Sequence, residues 1–144
     1  YGADWDNVVN NIKKLIQKQN STPTLKIDHC ITVNIQNVYY IPEIINWSRN
    51  IGFNSYYLNF VSTPIEFSIN SLTTRAKNIV LDKLKSSTID PKDQLNLDNL
   101  IETITRSGTS NGQLFCDTMK NLDSTRNQDF SILYPEIAKT MGYG

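Results

Sequence analysis

Cysteine is scarce in this chain of 144 residues: there are two, Cys30 and Cys116, far apart in sequence. No CxxC or CxxxCxxC spacing occurs, so the chain offers no clustered thiolates for zinc or for an iron–sulfur cluster. A dense disulfide framework is excluded for the same reason, and two isolated thiols fit a reducing, cytoplasmic setting. Histidine is scarcer still. His29 is the only one, and no Ser–His–Asp arrangement has supporting spacing around it. Neither sign of charge dominates, since 14 basic residues face 14 acidic ones. Without a basic stripe no electrostatic nucleic-acid surface is expected. No apolar run approaches the roughly 20 residues of a membrane span, and no signal peptide is visible. Glycine-rich phosphate loops are missing too.

What is present is an alternation of helix-like and strand-like segments. Asp4 is placed to cap a helix whose apolar positions, Trp5, Val8, Val9, Ile12, Leu15 and Ile16, recur at helical spacing. Asn20-Ser21-Thr22-Pro23 ends it. From Leu25 to Ile35 the pattern changes to period two. Leu25, Ile27, His29, Ile31, Val33 and Ile35 point one way, and Cys30, Thr32, Asn34 and Gln36 the other. This pattern fits a strand between helices and a barrel lumen, and fits a surface antiparallel strand equally. Pro42 then suits a helix's first turn, Ile41, Ile44, Ile45, Ser48 and Ile51 share a face, and Gly52 reads as its stop. A second strand, Tyr56 to Val61, runs into Ser62-Thr63-Pro64. An apolar stretch, Ile65 to Leu72, leads to a helix from about Thr73 to Leu84, with Lys77, Asp82 and Lys83 solvated.

Ser86 to Asp93 has the composition of a linker, and the character changes after it. Leu97, Leu100, Ile101 and Ile104 define a helix capped near Asn96 or Asp98. Residues 107–112 form a flexible loop, and Leu114, Phe115, Met119 and Leu122 belong to another helix. Asp123 and Arg126, three apart, are spaced to pair. A chain of this length is one domain or a piece of a larger one, and it is shorter than the roughly 250 residues of a full (β/α)₈ barrel. It begins with Tyr1, which reads as a cut within a longer protein.

Helix–strand–helix–strand order is the grammar of a parallel α/β sheet or barrel, and such folds gather ligands at the C-terminal ends of their strands. Asn34 and Asn59 stand late in the two strands. Each amide offers two donors and an acceptor, enough for a ribose, a carboxylate or an adenine edge, although both could equally bond neighbouring loops. Asn37 reads as a turn or cap residue. His29 and Cys30 face opposite ways on one strand and read as packing residues, and Cys116 reads as core. Asp90, Asp93 and Asp98 lack the glycine and terminal glutamate of a cation loop.

The helix DWDNVVNNIKKL, the strand and helix ITVNIQNVYYIPEIINW, the strand and loop YYLNFVSTP and the tail DSTRNQDFSILYPEI together resemble the C-terminal half of a radical S-adenosylmethionine enzyme. The similarity is to the group with a SPASM or shortened twitch extension, including phage and marine bacterial members. The resemblance implies that residues 1–85 are the last part of a partial (β/α)₆ barrel of parallel strands and that 86–144 are a mainly helical, twitch-like extension. It implies that Asn34 and Asn59 approach S-adenosylmethionine and that the loop bearing Ser62 and Thr63 faces the substrate. The [4Fe-4S] cluster of such enzymes is held by an upstream CxxxCxxC, so a parent enzyme would perform the radical chemistry and this chain alone would not. The implied partners are the rest of the parent chain and a peptide or small-molecule substrate, with no nucleic acid and no membrane. An isolated fragment is expected to self-associate through open strand edges. The competing reading is a non-catalytic α/β binding or interaction module.

Overall fold

The computed structural model describes residues 4–144. Helix α1 (Trp5–Asn20) starts at Asp4, whose Oδ1 accepts the backbone N–H of Asp6 at 3.0 Å and of Asn7 at 3.3 Å. Strand β1 (Asp28–Val33) is shorter than the alternating run predicts, because Ile35 already turns away to donate its N–H to Phe67 O. A 3₁₀ turn, Val38–Tyr40, feeds α2 (Ile41–Ile51), with Pro42 in its first turn. Gly52 ends α2 at φ 113°, and a Cβ there would stand 3.2 Å from Ile16 Cγ2, so glycine satisfies both the backbone and the seat of α1.

Strand β2 (Ser55–Phe60) pairs with β1 in parallel, in the register Ile31 to Leu58 and Val33 to Phe60. The period-two pattern therefore belongs to a parallel β–α–β unit. His29, Ile31, Val33, Tyr56, Leu58 and Phe60 share the face turned toward the helices. The opposite face carries Asp28, Cys30, Thr32, Ser55, Tyr57 and Asn59, all exposed.

Two 3₁₀ turns (Ile65–Phe67 and Ile69–Ser71) lead to α3 (Thr74–Ser86), capped by the Thr73 hydroxyl. Helices α4 (Gln94–Arg106), α5 (Gln113–Arg126), α6 (Phe130–Leu133) and α7 (Pro135–Met141) complete the chain. One hydrophobic cluster runs through both halves: Ile31, Val33 and Tyr56 of the sheet, Ile41 and Ile45 of α2, and Val80 and Leu84 of α3 join Leu97, Leu100 and Ile104 of α4, Phe115 and Met119 of α5, and Phe130 and Ile137 of the last helices. None of the described helices is long and apolar enough to cross a membrane.

Several local expectations are corrected. The segment 86–93 is no free linker. Ile89 and Asp93 are buried, and Pro91–Asp93 forms a 3₁₀ turn that starts α4 ahead of Asn96 and Asp98. Lys77 is tied down: its Nζ donates to Thr105 O at 3.0 Å and Ser107 O at 2.7 Å, closing the carbonyl end of α4. The 107–112 loop is moored by Gly108 N–H to Asn70 Oδ1 at 2.9 Å and by Ser110 N–H to Leu72 O at 3.0 Å.

Asp93 has only 1% of its side chain exposed and meets Arg49 through two hydrogen bonds, Nη2 to Oδ1 at 2.5 Å and Nε to Oδ2 at 3.0 Å. Arg49 holds the Asp93 carboxyl below its usual value of 3.8. Removing the arginine's partner leaves a largely desolvated cation, so Asp93→Ala is expected to cost about 3 kcal/mol of unfolding free energy by denaturant titration. With the folded pKa lowered, the pair's contribution is complete above the unfolded value of 3.8 and is lost as pH falls through the lower folded one. The deficit of Asp93→Ala should therefore shrink in strong acid.

Candidate functional site

The C-terminal ends of β1 and β2 open beside α5. Past Val33 the chain turns sharply, and Asn34 builds that turn: its Oδ1 accepts the N–H of Gln36 at 2.8 Å and of Asn37 at 3.2 Å. Asn37 reciprocates, taking the Asn34 N–H on Oδ1 at 2.9 Å and donating Nδ2 to Thr32 O at 2.8 Å. Asn37 is thus the turn residue its sequence context suggests. Asn34 is committed through its oxygen, while its Nδ2 makes no hydrogen bond among the described residues.

A cleft of about 460 Å³ lies here, lined on its polar side by Asn34, Gln36, Thr63 and Arg126 and on its apolar side by Val61, Pro64, Phe67 and Leu122. Gln36 donates Nε2 to Met119 Sδ at 3.4 Å. Thr63 and Arg126 are exposed. The structure therefore brings Asn34 and Thr63 together. Ser62 lines a neighbouring cleft of about 360 Å³ with Ser68, Asn70, Thr103 and Arg106. Asn59 stands apart on the exposed sheet face, opposite Thr32 in the register.

Arg126 is the site residue that sequence reasoning assigns elsewhere. Its expected partner, Asp123, does not pair with it. Asp123 Oδ2 accepts the Phe130 N–H at 2.6 Å and the Tyr143 hydroxyl at 2.5 Å, which pushes the Tyr143 pKa up to about 12. The spacing of three residues hides this, because nothing local indicates that the carboxylate is claimed by residues further along the chain.

Of the other titratable candidates, His29 and Cys116 are packed into the protein, and Cys30, expected as a packing residue, is not, because its face of β1 is uncovered. His29 Nδ1 lies 3.0 Å from the buried Ser48 hydroxyl, and the ring stacks on Phe53 with centroids 5.1 Å apart. Cys116 is buried, and burial pushes its thiol pKa up. Cys30 is exposed on the open sheet face. No grouping of three or more His, Cys, Asp or Glu able to hold a metal occurs among the described residues. No family model, curated protein or solved structure matches the chain at significance.

Two outcomes are expected. Asn34→Ala strips acceptors from two backbone N–H groups and should lower unfolding free energy by about 1–2 kcal/mol, whereas Asn34→Asp keeps the acceptor and should stay within about 0.5 kcal/mol of the parent in the same denaturant titration. Burial lowers the His29 pKa from 6.5. A group easier to protonate when unfolded stabilises fully above the unfolded pKa and loses that contribution as pH falls through the folded one. As the sole histidine, His29 should contribute a fall in melting temperature as pH drops below its ordinary value of 6.5, and His29→Gln should flatten it.

Proposed function

We propose that the chain is the C-terminal part of a radical S-adenosylmethionine enzyme, residues 1–85 completing a partial (β/α) barrel and residues 86–144 forming a twitch-like helical extension. The observation that carries this reading is the parallel β1–α2–β2 unit with helices on one face and an exposed, largely polar opposite face, whose strand ends lead into the cleft at Asn34 and Thr63. In a barrel that opposite face becomes the lumen, and the strand ends become the mouth where ligands gather. The open outer edges of the two-stranded sheet are where the remaining strands of the parent would pair.

S-adenosylmethionine supplies the radical chemistry of such enzymes when a reduced cluster is present. Toward it this chain offers the Asn34 Nδ2 donor at the mouth and the Asn59 amide on the lumen side, with the Ser62–Thr63 loop toward a peptide or small-molecule substrate. The chain's own thiols do not fit a [4Fe-4S] cluster: one is exposed on β1, the other buried in α5, and a cluster needs at least three close cysteines. Cluster ligation belongs to upstream sequence in this reading, and no reaction step is assigned to residues of this chain.

Anaerobic reconstitution with iron and sulfide tests the division of labour. The chain alone should take up no stoichiometric cluster, whereas a parent protein whose reading frame continues upstream should contain CxxxCxxC, bind the cluster and cleave S-adenosylmethionine. An upstream frame without that motif would remove the reading. The single hydrophobic cluster spanning both halves favours a second one, a self-contained α/β interaction module. A clean monomer with one cooperative melt would support it, and self-association through the strand edges would support the fragment.

A further inference from the structure

The strand-end cleft has a charge asymmetry that the reading above does not use. Among the described residues Arg126 is the one charged side chain in its lining, and no carboxylate is part of that lining. The guanidinium makes no salt bridge among the described residues, where four other ion pairs are formed. The acid best placed in sequence to neutralise it, Asp123, is occupied by the Phe130 N–H and the Tyr143 hydroxyl. In the same lining stand neutral groups that make no hydrogen bond among the described residues: the Asn34 Nδ2, the Thr63 hydroxyl and the Gln36 carbonyl oxygen, Gln36 being engaged through its Nε2 on Met119. Phe67 and Leu122 supply an apolar wall.

We propose that this cleft binds a carboxylate-ended organic ligand of the acylated amino-acid or peptide C-terminus class. Arg126 takes the carboxylate through its planar fork, Thr63 and Gln36 take the adjacent amide, and an apolar side chain lies against Phe67 and Leu122. A guanidinium fork matches a carboxylate in two parallel hydrogen bonds, and ionised partners roughly double the strength of each. Charge complementarity selects the occupant, because a neutral or cationic ligand of the same shape leaves the arginine without a counter-charge. The assignment rests on this chain's own geometry and stands or falls separately from the S-adenosylmethionine reading.

Two probes of equal shape decide it: N-acetyl-L-phenylalanine, which carries the carboxylate, and N-acetyl-L-phenylalaninamide, which does not. Each is titrated into the ¹⁵N-labelled 144-residue chain and followed by amide chemical shifts. The acid should shift Asn34, Gln36, Thr63 and their neighbours and bind about tenfold more tightly than the amide, with the difference narrowing as salt rises. Arg126→Gln should bring the acid to the level of the amide without changing the melting temperature, since the side chain is exposed and forms no ion pair among the described residues. Thr63→Val, on the opposite loop, should weaken both probes modestly. The proposal is overturned if acid and amide bind equally, if neither saturates, if the shifts map to another face, or if Arg126→Gln leaves the discrimination intact.

Discussion

The arrangement hangs on one cation. Arg49, in the last turn of α2, donates to both oxygens of the buried Asp93, to the carbonyls of Phe53 and Asn54 in the turn entering β2, and lies over the Tyr56 ring at 4.9 Å. A single side chain therefore fixes the exit of α2, the entry of β2 and the start of α4. The Tyr56 hydroxyl, buried beside Asp93 and Asn96, reaches no partner with hydrogen-bond geometry among the described residues, a local cost that the surrounding ion pair and packing outweigh. Because a buried carboxylate needs its counter-charge, α4 has one position relative to α2, and from it Leu97, Leu100 and Ile104 enter the common core.

Much of the first half is legible because its signals are local. Asp4 caps α1, Pro42 opens α2 and Gly52 closes it, each for reasons contained in a few neighbouring residues. The period-two run shows that one face of β1 is buried, and the helix between the two strands makes parallel pairing the expectation, which the register bears out. The signals fail where a partner is distant in sequence. Asp93 reads as part of a polar linker because Arg49 lies 44 positions away, and Lys77 reads as solvated because the carbonyls it closes lie 28 and 30 positions away.

The same limit governs the strand-end cleft. Asn34 and Thr63 are recognisable from their places at and beyond strand ends, but the cleft's cation depends on the course of the tail. Asp123 exemplifies the tail's logic. By accepting from Phe130 and Tyr143 it stitches α5 to the start of α6 and to the segment after α7, and the aromatic contacts of Phe130 with Phe115, Tyr134 and Tyr143 continue that seam. A charge absorbed by this seam leaves another at the cleft without its neighbour.

Helix α1 stands outside this mutual dependence. Of its apolar stripe only Ile16 is buried, against Gly52. Trp5 remains 61% exposed while it touches Trp47, and Gln19 Oε1 accepts the N–H of Ile27, eight residues on. A segment anchored at so few points is expected to open in a sub-global step of its own, at a free energy below that of the core. Its amides would exchange with solvent while those of β1 and α3 stay protected, and its departure would uncover the side of α2 that carries Trp47 without disturbing the Arg49 node. Such behaviour would layer the molecule in persistence as well as in space, a durable body carrying one helix that opens first.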